Sequence, residues 1–178
     1  MPDAGIITVY FIQGAPMKVD MDKFKKIEIL GKERDDFTRR IFDQVEKWGM
    51  KIPDVPYLMV HFGLNDFFTT GETEFWVANE VDAGYCGKLI FVFEDQTCPS
   101  HYHRVKHETF YVLKGRTKMV IDGSEVIKKT GDVLVMPTKT KHSFAGYEGP
   151  CLLLEVSMPS VPGDSYFENK AIGRDGVI

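Results

Sequence analysis

From Thr73 onward the chain is a succession of short segments rich in β-branched and aromatic residues, separated by turn signals. Thr73–Val81, Lys88–Phe93, Thr109–Leu113, Thr117–Ile121, Ser124–Lys128, Asp132–Met136 and Cys151–Met158 all have this character, which is that of β-strands. Asp122-Gly123 stands between two of them and is a strong hairpin signal, because both turn positions need a positive φ. Gly115 marks another turn. Strands at this regular spacing favour a double-sheet barrel over alternating strand–helix units. The expectation is an all-β fold.

The segment before the strands differs. In Glu33–Trp48 the apolar residues Phe37, Ile41, Val45 and Trp48 recur at helical spacing, which puts them on one face. Glu33, Asp35 and Asp36 suit the positive start of a helix, and Gly49 suits its end. This helix, at about 33–48, is expected to pack outside the barrel. Gly5–Gln13 alternates weakly and reads as a strand, Met17–Lys32 is mixed, and Lys51–Tyr57, with Pro53 and Pro56, reads as a loop. Beyond Pro159 the chain is turn-rich and is expected to be peripheral. With 178 residues and 43% apolar content, one domain with a sizeable core is expected. It divides into an N-terminal extension (1–58), a barrel (59–158) and a C-terminal tail (159–178).

Charge narrows the partners. The net charge is −4, and no Lys/Arg-rich run offers the basic stripe that nucleic-acid binding requires. The longest apolar stretches, such as Cys151–Glu155, fall far short of the roughly 20 residues that span a bilayer. Met1–Met17 lacks the pattern of a signal peptide. Cys86, Cys98 and Cys151 are odd in number and show no CxxC spacing, so they read as free thiols in a cytoplasmic protein.

The histidines carry the chemistry. Four of the five fall between residues 101 and 142. His101 and His103 are one residue apart, so on an extended strand both imidazoles leave the same face. Glu108 follows where the next strand begins. His142 stands five residues after Pro137, itself at the end of Gly131-Asp-Val-Leu-Val-Met-Pro137. Two imidazoles from one strand, a carboxylate from the next and a distant imidazole can converge on a divalent first-row ion if the sheet closes on itself. His107 adjoins Glu108 and should point away from it.

The pattern HxHxxxxE, a glycine at 115, then G(x)5P(x)4H resembles the two-part motif of the cupins. His101, His103 and Glu108 match its first half, and Gly131, Pro137 and His142 its second. The resemblance implies a cupin double-stranded β-helix, or jelly-roll barrel. Three imidazoles and a carboxylate leave two positions open on an octahedral ion, for a chelating diol or for oxygen. The ligand set alone does not choose between them.

Three further charges sit where charge is expensive. Glu155 lies in the apolar run Cys151-Leu-Leu-Leu-Glu-Val-Ser157, so its carboxylate must be paired, lie near the metal, or be protonated. Lys88 shares a face with Ile90 and Val92 on its strand, and Lys106 shares a side with Glu108 if that segment is extended. A longer pattern resembles the D-lyxose isomerase branch of the cupins. It comprises Gly63-Leu64, Tyr85-Cys86-x-Lys88, Gln96-Thr-Cys-Pro-x-His101-x-His103, Lys106-x-Glu-Thr-Phe110, Pro137-x-x-Thr-Lys-His142 and Glu155-x-Ser157. That resemblance implies manganese on His101, His103, Glu108 and His142, with iron, zinc, nickel or cobalt as alternatives, and proton handling by Glu155, Lys106 and Lys88. It implies interconversion of a free aldose and ketose through a cis-enediol. The rival readings are an iron-dependent cupin dioxygenase, a non-catalytic sugar-binding cupin, and a phosphosugar isomerase anchored by Arg104, Lys139 and Lys141. A homodimer is expected, because pairing protects sheet edges.

Overall fold

The computed structural model describes residues 27–178. The strand expected at Gly5–Gln13 lies outside these residues, as does most of Met17–Lys32. Helix α1 spans Gly31–Lys47. It is followed by the strands β1 (Tyr57–Val60), β2 (Glu72–Glu80), β3 (Tyr85–Val92), β4 (Thr97–His103), β5 (Glu108–Lys114), β6 (Arg116–Ile121), β7 (Ser124–Lys129), β8 (Val133–Met136), β9 (His142–Gly146), β10 (Cys151–Ser157) and β11 (Ser165–Phe167). All pair antiparallel. They form a six-stranded sheet in the order β1-β2-β3-β10-β5-β8 and a five-stranded sheet in the order β11-β4-β9-β6-β7.

The hairpin between β6 and β7 closes on Asp122 and Gly123, both at positive φ (47° and 83°), the backbone that a tight two-residue turn matching the strand twist requires. The inner faces of the two sheets meet in an apolar core. Ile90, Val92, Phe110, Val112, Met136 and Leu153 come from one sheet, and Cys98, Met119, Phe144 and Phe167 from the other. Along β3 and β10 the intervening residues, such as Phe91 and Leu152, face outward.

Helix α1 covers the outward face of the six-stranded sheet, as its pattern predicts. Its buried residues are Phe37, Ile41 and Val45, packed against Phe75, Phe91, Phe93 and Leu152. Trp48 follows the last helical residue and lies 5.9 Å from the Phe91 ring. Gly49 takes a left-handed φ of 67° and donates its N–H to Glu46, which ends the helix.

The tail departs from expectation. Residues after Pro159 are not peripheral, because β11 pairs with β4, setting Ser165 opposite His103 and Phe167 opposite His101. Phe167 and Ile172 are buried in the core. Without β11 the histidine-bearing strand would be an open sheet edge, and covering it pairs its backbone groups.

Candidate active site

β4 carries His101 and His103 on its inner side, and a register shift lies between Cys98 and His101. That shift puts Cys98 and His101, three residues apart, on the same buried face. His142, the first residue of β9, pairs directly across from His101. The ring centroids of His101 and His142 are 4.3 Å apart, those of His101 and His103 5.0 Å. The three imidazoles are buried and lie close enough to hold one metal ion. Glu108 joins them from β5, with Oε1 3.4 Å from His103 Nε2 and Oε2 3.3 Å from His142 Nε2. His107, next to Glu108, is exposed. The fifth histidine, His61, accepts the backbone N–H groups of Gly63 and Asn65 on its Nδ1.

Each of the three imidazoles has its Nδ1 against a main-chain carbonyl. His101 reaches Pro99 at 2.8 Å, His103 reaches Asp164 at 2.9 Å and His142 reaches Thr140 at 3.0 Å. A carbonyl can only accept, so Nδ1 carries the proton and Nε2 presents a lone pair. Burial, reinforced by the neighbouring His142 and His103, holds His101 well below the ordinary imidazole value, hence neutral. The Nε2 atoms of His103 and His142 and Oε2 of Glu108 are buried without a hydrogen-bond partner. Imidazole nitrogens without another partner, beside an ionised carboxylate, fit a divalent cation.

The other predicted residues meet the same cluster. Glu155 on β10 is the direct cross-strand neighbour of Lys88 on β3. Lys88 Nζ lies 3.0 Å from Glu155 Oε2 and 2.8 Å from Glu74 Oε1. Lys106 Nζ lies 3.2 Å from Glu155 Oε1 and 2.6 Å from Glu108 Oε1. Ser157 donates to Glu155 Oε1 at 2.8 Å. A continuous chain of buried charge, Glu74–Lys88–Glu155–Lys106–Glu108, therefore runs from β2 to the imidazoles. Burial opposes the charge on Lys88, Glu155, Lys106 and Glu108, but the alternating signs overcome it. Glu155 is held below the usual carboxylate range by Lys106 and Lys88, and Glu108 well below it by Lys106 and the imidazoles. Lys88 and Lys106 are pushed up by the carboxylates and stay charged. At neutral pH the lysines are hydrogen-bond donors rather than ready proton donors, and Glu155 is an ionised acceptor.

Three residues escaped the sequence reading. Glu74 lies in the strand expected at Thr73–Val81 and Glu72 one residue before its start, and two carboxylates at that spacing were a visible signal. Asp164 gave none, because it stands in a turn-rich tail. Its carboxylate accepts the backbone N–H groups of Arg104 (3.0 Å), Val105 (3.1 Å) and Lys106 (2.8 Å), while its carbonyl meets His103. One tail residue thus fixes both an imidazole and the loop that aims Lys106. Phe167 stacks on His101 at 5.0 Å. Tail residues Ser160, Val161, Asp164 and Ser165, with His103 and Lys106, enclose a cavity of about 20 Å³ beside the site.

Arg104, Lys139 and Lys141 do not reach this interior. With Tyr102 they line a separate cavity of about 340 Å³, and Tyr102 alternates with His101 and His103 on β4, so that cavity lies on the opposite face of the strand. The three cysteines are free and buried, and burial pushes the Cys151 thiol up to about 12. No helix among the described residues is long and apolar enough to cross a membrane.

Comparison with known proteins agrees with this architecture. Residues 90–157 match the cupin domain family. The D-lyxose ketol-isomerase of Thermofilum sp. (strain ex4484_79) is 28% identical over 142 residues, covering 64% of this chain and 77% of that protein. Quercetin 2,3-dioxygenase of Bacillus subtilis (strain 168) is 46% identical, but over 44 residues that span 25% of this chain and 13% of that protein. Among solved structures, a mutant L-ribose isomerase of Acinetobacter sp. DL28 in complex with L-ribose superposes with a TM-score of 0.67 at 17% identity. It covers 85% of this chain and 98% of that one, a likeness of fold. The chain is thus similar to cupins over residues 90–157 and, over a wider span, to D-lyxose ketol-isomerases.

Proposed function

We propose that this chain is a metal-dependent aldose–ketose isomerase acting on a free sugar of the D-lyxose/D-xylulose kind. The observation that carries the reading is the buried carboxylate of Glu155, clamped between Lys88 and Lys106 and joined through Lys106 and Glu108 to the histidine cluster. Such a carboxylate is costly to bury, and as an ionised acceptor linked through Lys106 and Glu108 to the three imidazoles it can take and return a proton.

His101, His103, Glu108 and His142 would hold the ion, for which manganese is the proposed identity. When bound there, a divalent ion supplies a Lewis acid for a carbonyl and its neighbouring hydroxyl. Glu155 takes the proton from C2 of the aldose and returns it to C1, while the hydroxyl proton of C2 passes to the oxygen of C1. Lys106, with Lys88 behind Glu155, donates hydrogen bonds to the oxygen on which negative charge develops. Admission of a sugar requires the Ser160–Ser165 wall to withdraw, because ligand sites for small molecules are roughly 300–1,000 Å³. Separation of Arg104, Lys139 and Lys141 from the interior favours an unphosphorylated substrate. The dioxygenase reading shares the histidines but assigns no task to Glu155.

Incubation of the manganese-loaded protein with aldopentoses and ketopentoses in D₂O tests the reading, with deuterium expected at C1 or C2. Glu155→Gln should lower kcat by roughly 10²-fold or more, as loss of a positioned base does, with metal content unchanged. Each lysine keeps a second carboxylate, Glu74 or Glu108, so this variant should stay folded. Oxygen consumption with a ring-cleaved product and no isomerisation would move the assignment to the dioxygenase.

A further inference from the structure

Among the described residues, the buried side-chain atoms without a hydrogen-bond partner fall in two places. His103 Nε2, His142 Nε2 and Glu108 Oε2 belong to the candidate metal centre. Glu72 Oε2, Thr73 Oγ1 and Trp76 Nε1 all belong to β2. Thr73 is paired with Phe91, under the helix. Glu72 and Trp76 alternate with it and share the inward side of β2 with Glu74. Glu74 is tied to Lys88, and the Trp76 ring lies 4.9 Å from the Lys88 ammonium. The two unpaired groups thus flank the far end of the charge chain whose near end touches the imidazoles.

Leaving a buried donor and a buried acceptor unpaired is costly, and a folded core of this size had apolar alternatives at both positions. The chemistry on offer is specific. Trp76 Nε1 can only donate. Burial, then the charge of Glu74, with a smaller push from Glu155, raises Glu72 to about 8 against the pull of Lys88 and the Cys98 thiol. At neutral pH it is a carboxylic acid, able to donate and accept. A phosphate or carboxylate ligand would be repelled by Glu74 and Glu155, and an apolar one would leave both groups unpaired. Hydroxyl groups satisfy both.

We propose that Glu72 and Trp76 form a hydroxyl-binding subsite that reads the end of the sugar remote from its reacting carbons. This rests on the isomerase reading and adds to it the residues that discriminate among sugars. On this reading the carbonyl end of the sugar would lie at the imidazoles and its remote hydroxyl groups would point past Glu155 toward β2.

The test is calorimetric titration of the full-length, manganese-loaded protein with a pentitol, which binds but cannot isomerise, together with kinetics on a pentose and a tetrose. Trp76→Phe should weaken pentitol binding by about 3- to 10-fold, the loss of one hydrogen bond. Glu72→Leu should do the same or more, whereas Glu72→Gln, which keeps a donor and an acceptor, should remain near wild type. The KM for the pentose should rise far more than kcat falls, the tetrose should be unaffected, and metal content should not change. Unaltered pentitol affinity in Trp76→Phe and Glu72→Leu, with only a lower melting temperature, would overturn the proposal. So would a wild-type protein that fails to bind the pentitol. If the pentitol binds and the variants weaken it while no aldose is isomerised, the subsite stands and the isomerase reading falls.

Discussion

On its outward face the six-stranded sheet presents Phe75, Phe91 and Leu152 to helix α1. On their inward face the same three strands present the buried Glu72, Lys88 and Glu155 and the half-buried Glu74. The outward layer is what a water-soluble sheet needs, since burying each aromatic side chain stabilises the fold by about 1.5–3 kcal/mol. The inward layer does the opposite. Desolvating a carboxylate or an ammonium costs several kcal/mol, and pairing roughly recovers that cost without a surplus. Stability therefore comes from the outward layer and from the apolar part of the interior, with Ile90, Val92 and Leu153, while the charged part of the interior adds little to it. Helix α1 lets the sheet afford its interior.

That division can be broken by experiment. The largest effect should come from the interior: His101→Ala is expected to abolish stoichiometric manganese after reconstitution and desalting, while circular dichroism reports an intact barrel. Retention of full metal would remove His101 from the ligand set. A smaller but still large effect is expected on the opposite face. Phe91→Ala should cost about 3–5 kcal/mol in urea unfolding and leave the metal stoichiometry of the folded protein untouched. Were this variant to lose its metal as well, the two faces would not be independent.

The smallest effect concerns Glu72. Its folded-state value is raised to about 8 from an ordinary 4.5, so the native state holds its proton more tightly than the unfolded chain. Stability from this group is fully present below about 4.5 and is lost as the pH rises through about 8. Glu74, Lys88, Cys98 and Glu155 all face it. Glu72→Gln should remove that part of the decline, so unfolding free energies at pH 6 and pH 9 should lie closer together than in the wild type. Equal slopes in both proteins would mean that Glu72 is ionised at neutral pH.

Much of this arrangement was legible in the chain. The spacing of Phe37, Ile41 and Val45 located the helix and its buried face, because a 3.6-residue period survives in any context. The one-residue gap between His101 and His103 put both imidazoles on one side of a strand, and the apolar run around Glu155 announced a carboxylate that needed partners. β4, β9 and β11 were harder to read, since their inward positions carry histidines, small residues or a bulge instead of a clean apolar alternation.

Local pattern specifies which side of a strand a residue occupies, and it did so for Lys88 and Glu155, whereas Lys106 stands in the loop between β4 and β5. It does not specify which strand lies alongside or at what register. Glu155 meets Lys88 because β10 pairs with β3 at one register, and a slip of one residue would turn the carboxylate outward. Glu74 and Glu72 enter the site because β2 is the next strand beyond β3. Asp164 enters because β11 adds to the edge of β4 and brings a tail carboxylate against the loop that holds Lys106. Each of these meetings is decided by long-range backbone pairing and by the shared burial of two sheets, whose free energy belongs to the closed barrel and to no single segment of the chain.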